Sequence, residues 1–194
     1  MTERFEWALL GAGETLEGAA VRLRGLRVED CTETYAAWLN DPEVNRFLEV
    51  GHSTEDVATI SAYVRAVAAS PPDSLLAVVD AGSDQHIGNI KISAVDQRNR
   101  NAQVGYFIGD RSAWGRGFAT EAVTLAVAAA IERLDLRRLE AGAHAQNVAS
   151  QRVLEGAGFA LEGRQRARLR LDDGWDDHLL YGLLADEWLA RDRS

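Results

Sequence analysis

The sequence lacks the features that mark exported, zinc-binding or membrane-spanning proteins. Cys31 is its only cysteine, so no intrachain disulfide can form and no second thiolate is available for a structural zinc. Residues 1–18 lack the basic start and the apolar run of a signal peptide. The most apolar run, residues 122–131, is about half of the roughly 20 residues that cross a bilayer. We expect a cytoplasmic protein with no metal and no membrane partner.

Positive charge is also scarce. The chain has 21 Lys and Arg against 30 Asp and Glu, for a net charge of −9. A surface that neutralises nucleic-acid phosphates or anionic lipids needs the opposite balance, so we expect no nucleic-acid partner and a weak preference for cationic ones. A chain of 194 residues can bury one sizeable core. We therefore expect a lead-in over 1–19, without assigned elements, and a single domain over 20–190.

Apolar periodicity in the first half predicts a strand, two helices and three more strands. The first strand covers 21–24. Asp30 with Glu33 forms a capping-box pattern for a short helix that stops near Asp41, and Ser53 with Asp56 opens a second helix that ends before residues 71–72. Residues 74–80, 86–93 and 102–109 then have strand character and are separated by turn residues, which indicates three successive antiparallel strands.

The second half alternates strands with helices. A glycine loop at 115–117 leads into a helix with apolar residues on one face, and a strand over 138–145 precedes a helix over 147–156. Residues 166–171 and 178–184 flank an Asp-Asp-Gly turn, which is a strong hairpin signal. The order of elements predicts an α+β or mixed α/β domain, in which helices cover a mixed sheet.

The loop over 111–121 carries the first chemical signal. Gly115 and Gly117 leave backbone N–H groups free at a helix N-terminus, where they could hold a pyrophosphate, and Arg111 or Arg116 could add charge. The loop lacks the Gly-Lys-Ser/Thr of a Walker A motif, and Thr120 stands where a dinucleotide motif has its third glycine. ATP and dinucleotides are therefore disfavoured. On spacing alone, a tight turn without a ligand fits equally well.

Three segments together resemble the GNAT acetyltransferases, specifically the RimJ/RimL-like branch. They are Val-Gly-Tyr-Phe-Ile at 104–108, Trp-Gly-Arg-Gly-Phe-Ala-Thr-Glu-Ala at 114–122 and Asn-Val-Ala-Ser-Gln-Arg-Val-Leu-Glu-Gly-Ala-Gly-Phe at 147–159. The resemblance extends over about 21–188. It implies the acyl-CoA N-acyltransferase fold, whose mostly antiparallel sheet is splayed between the strands at 102–109 and 138–145. It also implies acetyl-CoA as the acetyl donor and CoA as the product.

The resemblance further implies a set of residues that bind the cofactor. Backbone groups near two strand residues would pair with the pantetheine arm and polarise the thioester carbonyl, and the glycine loop would bind the pyrophosphate. These residues are Phe107, Ile108, Arg111, Trp114, Gly115, Arg116, Gly117, Phe118, Ala119 and Thr120. Ser112 stands where the family motif usually begins with Gln or Arg, so Arg111 is a substitute candidate.

Two residues of the third segment have implied roles and simpler alternatives. Asn147 would contact the pantetheine, although asparagine is also a favoured N-cap. Ser150 would bond or protonate the departing thiolate, or it is only a small helix residue. Leu154 stands where many members have a tyrosine acid, which excludes that acid at this site.

An ammonium cannot attack a thioester, so the acceptor amine must lose a proton to a base or a water relay. The family's usual glutamate corresponds here to Gln103, which cannot act as that base. Glu140 and His144 share one face of the strand that borders the splay, and His178 lies beside two aspartates. All three are candidate bases, and each also has an ordinary structural explanation.

Residues 38–49 resemble the segment that borders the acceptor site in this branch. A cationic amine could be held by Asp41, Glu43 and Glu49. Phe47 could contact a ring of the acceptor, whereas Trp38 is expected to pack in the core. We expect an N-acetyltransferase for a primary amine of a small molecule such as an amino sugar. Cys31 lies outside the cofactor motifs, so we expect direct attack in a ternary complex.

Two alternatives remain. One is acetylation of a protein N-terminus, as in enzymes of ribosomal-protein type, with a peptide amine as the acceptor. The other is an acyl-CoA-binding protein without catalysis. Gln103 and Leu154, which replace familiar acid–base residues, favour this alternative. Many members of the family form dimers, so this chain could also form a homodimer.

Overall fold

The computed structural model describes residues 9–11, 13–48, 54–70 and 73–191. Its eight-stranded sheet has the order β1-β2-β3-β4-β5-β6-β8-β7, and every neighbouring pair is antiparallel except β5–β6. The predicted mixed, mostly antiparallel sheet is confirmed. The strands are β1 (Thr15–Glu17), β2 (Val21–Gly25), β3 (Ser74–Asp80), β4 (His86–Asp96), β5 (Asn101–Ile108), β6 (Arg138–His144), β7 (Ala160–Leu171) and β8 (Gly174–Leu184).

Six helices accompany the sheet within the described ranges. They are α1 (Glu33–Asn40), α2 (Pro42–Asn45), α3 (Val57–Ala68), α4 (Phe118–Arg133), α5 (Val148–Gly156) and α6 (Ala185–Arg191). The short helices α2 and α6 are not predicted from the sequence. Single 3-10 turns at Val28–Asp30 and Arg111–Ala113 precede α1 and α4.

Helices α1 and α3 each begin at a polar N-cap. Thr32 caps α1 in place of Asp30, because the Asp30 carboxylate bonds the Arg24 guanidinium (2.7 Å) and the Arg27 N–H (2.8 Å). Asp56 caps α3 by accepting from the Thr59 N–H at 2.7 Å. Ser53, the other residue predicted at that cap, lies outside the described residues.

Helices cover both faces of the sheet. The apolar stripe of α4 packs with alternate residues of the central strands, such as Val104 and Leu139, in the main core. On the other face, α1 and α3 pack Tyr35 and Val64 in a smaller cluster that Phe107 touches. Successive strand residues point to opposite faces. Tyr106 therefore faces α4 and α5, whereas Phe107 faces α1.

The sheet opens between β5 and β6. The two strands pair only at Asn101–Arg138, Ala102–Leu139 and Gln103–Glu140, after which β5 continues to Ile108 without β6. Strand β6 instead pairs with β8 along its whole length, as far as His144–His178. A wedge-shaped gap therefore lies between the last residues of β5 and β6, as the resemblance to the GNAT fold predicts.

The segment before β2 has structure that the sequence does not indicate. Strand β1 pairs with β2, and Leu9 is fully buried against the main core. The turn between the two strands is fixed by Glu121 in the first turn of α4, which accepts hydrogen bonds from the N–H groups of Ala19 and Ala20. These contacts join residues about 100 positions apart, so local sequence patterns do not reveal them.

Replacing Glu121 with alanine should destabilise the fold without touching the gap. Two backbone N–H groups of the β1–β2 turn would lose their acceptor. One is exposed and the other half-buried, so water replaces part of the interaction and each loss costs about 0.5–1.5 kcal/mol. Urea denaturation should show a lower unfolding free energy for Glu121→Ala. Exposed Glu132 on the same helix supplies the control, because Glu132→Ala should leave the midpoint nearly unchanged. Equal midpoints for the two variants would refute the structural role of Glu121.

His86 makes the stability depend on pH. Its ring packs edge-on against Tyr35 and Trp38, and its Nε2 lies 2.8 Å from Asn89 Oδ1 and 3.0 Å from the Gly88 carbonyl. Burial lowers the pKa of His86 below its usual 6.5, against the opposing effect of the Asn89 hydrogen bond. The unfolded chain therefore binds this proton more readily than the folded one.

Stability should consequently fall as pH drops below about 6.5, with a slope of at most about 1.4 kcal/mol per pH unit from this group. The nearby Asp30 does not confound the measurement, because its pKa is lowered and it titrates at a more acidic pH. Urea denaturation between about pH 7 and 5 should show this slope in the wild type and a flatter profile in His86→Gln. Identical profiles would contradict the assignment.

Candidate active site

The loop between β5 and α4 holds two glycines in the left-handed region. Gly115 has φ 70° and Gly117, which caps α4, has φ 82°. A Cβ added at either position would meet no atom within 4 Å. The glycines are therefore required by the backbone conformation and not by crowding from the protein, and the space beside them is open.

This conformation leaves a row of donors free. Within the described residues, the backbone N–H groups of 115–120 have no protein acceptor, and α4 makes its first hydrogen bond from the Glu121 N–H to the Gly117 carbonyl at 3.1 Å. Six consecutive donors at the positive end of a 16-residue helix form a site that suits an anion. A pyrophosphate fits this arrangement by charge and by hydrogen-bonding type.

Both arginines near the loop already have partners. Arg116 lies over the Phe118 ring, 4.3 Å from its centroid, and 3.7 Å from Asp80. Arg111 contacts Glu43 at 2.5 Å and Asp41 at 3.6 Å. Arg111 therefore joins the loop to the two carboxylates that the sequence assigns to the acceptor amine.

The end of β5 is held by Trp114. Its indole Nε1 donates to the Ile108 carbonyl at 2.9 Å, and Arg111 lies 5.7 Å from its ring centroid. One of the backbone groups expected to face a pantetheine arm therefore has a partner inside the protein.

Helix α5 approaches the gap from the face that α4 covers. Asn147 is its N-cap and accepts from the Ser150 N–H at 3.0 Å through its side-chain oxygen. The alternative of a structural cap is thus correct for that oxygen, and the amide nitrogen is not used by the cap. Ser150 sits in the first turn, at the edge of the gap.

Tyr106 connects β5 to α5 across the gap. Its hydroxyl lies 2.8 Å from Ser150 Oγ and donates to the Ser150 carbonyl at 3.0 Å. Burial raises the pKa of Tyr106 to about 12, although the Ser150 hydrogen bond opposes this effect. The sequence offers Tyr106 only as part of a strand motif, so its contact with Ser150 is a result of the fold.

His144 lies at the open end of β6, on the opposite face from Ser150. Its Nδ1 is 3.2 Å from Asp176 Oδ2, and the Asp176 side chain is 7% exposed. The same carboxylate accepts from the N–H groups of Gln146 (3.0 Å) and Asp177 (2.9 Å), which fixes its position. A carboxylate on Nδ1 leaves Nε2 as the free lone pair. The sequence associates Asp176 with its neighbour His178, whereas the structure places its carboxylate on His144.

The other two candidate bases are placed differently. Glu140 lies where β5 and β6 still pair, and its carboxylate bonds Arg138 Nε at 2.8 Å. The His178 ring lies over Gly142, and its Nδ1 is 3.4 Å from Gln165 Oε1. Of the three, His144 is the one held by a buried carboxylate at the open end.

The predicted acceptor segment covers the same face as His144. Phe47 packs against the His144 ring, with 5.2 Å between the centroids, and Arg46 bonds Gln146 Oε1 at 3.1 Å. Trp38 packs over Gly109 and beside His86, in agreement with core packing. Glu49 lies outside the described residues.

Two other features are absent from the described ranges. No helix in them is both long and apolar enough to span a membrane. No group of three or more His, Cys, Asp or Glu among those residues is arranged to hold a metal ion.

Comparison with known proteins gives a consistent set of matches. Residues 20–160 match the family described as acetyltransferase (GNAT) domain. The chain is 27% identical over 177 residues to the uncharacterized N-acetyltransferase p20 of Bacillus licheniformis, covering 90% of this chain and 98% of that protein. It is 30% identical over 103 residues to the ribosomal-protein-serine acetyltransferase of Escherichia coli, covering 53% of this chain and 57% of the relative.

The fold also matches solved structures. One is the spermidine N-acetyltransferase from Vibrio cholerae in complex with CoA and spermine, with a TM-score of 0.79 and 17% identity. The match covers 89% of this chain and 99% of that one. At this identity the likeness concerns the fold.

Proposed function

The chain belongs to the GNAT acetyltransferase family and is an acyltransferase, and from that premise we propose that it acetylates a primary amine of a small molecule, such as an amino sugar. Acetyl-CoA is the donor, and the amine attacks directly within a ternary complex. The observation that carries this proposal is the gap between β5 and β6, which opens beside six free N–H groups at the start of α4.

The cofactor would lie along this gap. The N–H groups of 115–120 would receive the pyrophosphate, and the free edge of β5 after Gln103 would pair with the pantetheine arm. The amide nitrogen of Asn147 would contact the same arm while its oxygen caps α5. Bound acetyl-CoA supplies an activated thioester, and the residues around it orient the acceptor and move protons.

We assign His144 as the base. Asp176 accepts the Nδ1 proton and keeps Nε2 free to take a proton from the ammonium of the acceptor. Phe47 packs against one side of the imidazole and so restricts its orientation. The neutral amine then attacks the thioester carbonyl, and the thiolate departs on the side of Ser150. The extra proton that the nitrogen carries after the attack is released to solvent.

Direct attack is supported by the position of the only thiol. Cys31 precedes α1, is buried, and packs in the small cluster with Tyr35 and Ile60. Burial raises the pKa of its thiol, which disfavours the nucleophilic thiolate. An acyl-cysteine step is therefore not part of the proposal.

The charges around the acceptor side favour a cationic amine. Asp41 and Glu43 share a single guanidinium, so the cluster keeps a net negative charge that attracts an ammonium group. The spermidine enzyme with the same fold acts on such an amine. The relative that acetylates ribosomal proteins supports acetylation of a protein N-terminus as the second candidate.

An amine panel tests the proposal. CoA release from acetyl-CoA would be followed with amino sugars, aminoglycosides, polyamines and peptides with free N-termini, beside a calorimetric titration of CoA. We expect turnover with one of the small-amine classes. Turnover with peptides alone would favour the second candidate, and CoA binding without turnover on the whole panel would favour a binding protein.

A further inference from the structure

Tyr106 and Ser150 form a hydrogen-bonded pair between β5 and α5. The tyrosine is on β5 and the serine on α5, 44 positions apart, and their side chains meet beside the gap. A role for this pair in the reaction rests on the proposed function, because it concerns the thiolate that the reaction releases.

The tyrosine hydroxyl has one proton and two acceptors within reach, the Ser150 carbonyl at 3.0 Å and Ser150 Oγ at 2.8 Å. In one arrangement Tyr106 donates to the carbonyl and accepts from the serine hydroxyl. In the other it donates to Oγ, and the serine proton is free to point elsewhere. The two arrangements differ only in the positions of two protons.

We propose that Tyr106 is a positioning residue that turns the Ser150 hydroxyl toward the sulfur of CoA and so stabilises the departing thiolate. A negative sulfur in the gap selects the second arrangement, because a charged acceptor makes the stronger hydrogen bond. The hydrogen bond accepted by Oγ also makes the serine a better donor. No such selection operates while the sulfur is a neutral thioester.

Tyr106 does not supply a proton in this scheme. Its pKa is raised by burial to about 12, whereas thiols ionise near pH 8.5, so the proton stays on the tyrosine. The bond between the acetyl carbon and sulfur breaks, the sulfur keeps the electron pair, and Ser150 donates a hydrogen bond to it. Solvent protonates the sulfur when CoA leaves.

The test measures the ionisation of bound CoA and needs no acceptor amine. The ultraviolet absorbance of the thiolate would be followed against pH in the complex of the full chain with CoA. The complex with S-methyl-CoA, which cannot ionise, supplies the baseline. In the wild type the thiol of bound CoA should ionise about one pH unit below that of free CoA, a tenfold change in the ionisation constant.

Variants then distinguish a positioning role of Tyr106 from a purely structural one. Tyr106→Phe and Ser150→Ala should each remove most of the shift, and the double variant should lose no more than Ser150→Ala alone. Tyr181→Phe is the matched control. The Tyr181 side chain is buried and its hydroxyl donates to Glu155 of α5 at 3.3 Å, so this variant should keep the shift. His144, Asp176 and Glu155 are unchanged in Tyr106→Phe, so their charges do not account for the difference.

The outcomes are distinguishable. Tyr106→Phe with the full shift, or a wild-type complex whose thiol ionises like free CoA, would overturn the inference while leaving CoA binding intact. A wild-type protein that does not bind CoA at all would overturn the proposed function and this inference with it. Unaltered affinity of Tyr106→Phe for S-methyl-CoA would confirm that the variant retains its folded site.

Discussion

Replacing His144 with glutamine should lower kcat/KM for the acceptor by about 10²- to 10⁴-fold, the usual contribution of a general base. The expectation follows from the imidazole at the open end of the gap, which a buried carboxylate holds by Nδ1. Glutamine keeps a polar side chain of similar length but cannot accept the proton. The affinity for CoA should change little, because the proposed cofactor contacts lie in β5, the glycine loop and α5.

The matched control is His178→Gln. His178 pairs directly opposite His144 in the sheet, so the two substitutions change the same residue type on neighbouring strands. Steady-state rates for His178→Gln should stay close to those of the wild type. A large loss in His178→Gln with none in His144→Gln would reassign the base. Asp176→Asn should give an intermediate loss in kcat, since the imidazole remains but its orienting carboxylate is gone.

Gly117→Val should weaken CoA binding by roughly 5- to 150-fold. A valine with a left-handed backbone costs about 1–3 kcal/mol, and a free loop would relax to avoid that strain. CoA would then have to bring the N–H groups of 115–120 back into position, and this free-energy cost would raise Kd. Titration calorimetry with CoA measures the effect directly.

Gly13 provides the control for this prediction. It has φ 79° and open space at its Cβ position, like Gly117, but it lies in the turn before β1. Gly13→Val should therefore lower stability by a similar amount while leaving the Kd for CoA unchanged. If both variants bind CoA as the wild type does, the loop at 115–117 is not the pyrophosphate site.

Local patterns were sufficient for most of the fold. The period-2 strands around Val104 and the helix after Gly117 follow from neighbouring residues, and the structure confirms them. Helix α2, only four residues long, has too few residues to show a period. Strand β1 and Leu9 are not predicted, because they are stabilised by contacts with β2 and α4 that sequence spacing does not show.

The sequence predicts only part of the candidate site. The glycine loop and Ser150 were found through motifs, whereas Asp176 and Tyr106 enter the site through contacts across 32 and 44 positions. These contacts depend on the register of the strands and on the position of α5 against the sheet. The salt bridges of Arg111 to Asp41 and Glu43 are a further case, since the motifs assign these residues to different ligands.

Hydrogen exchange of the backbone amides, with and without CoA, tests the central claim most directly. The N–H groups of 115–120 have no protein acceptor, so they should exchange fast in the free protein. Saturating CoA should protect them, together with the amides at the free end of β5. Fast exchange at 115–120 in the presence of bound CoA, or protection confined to another part of the chain, would contradict the account.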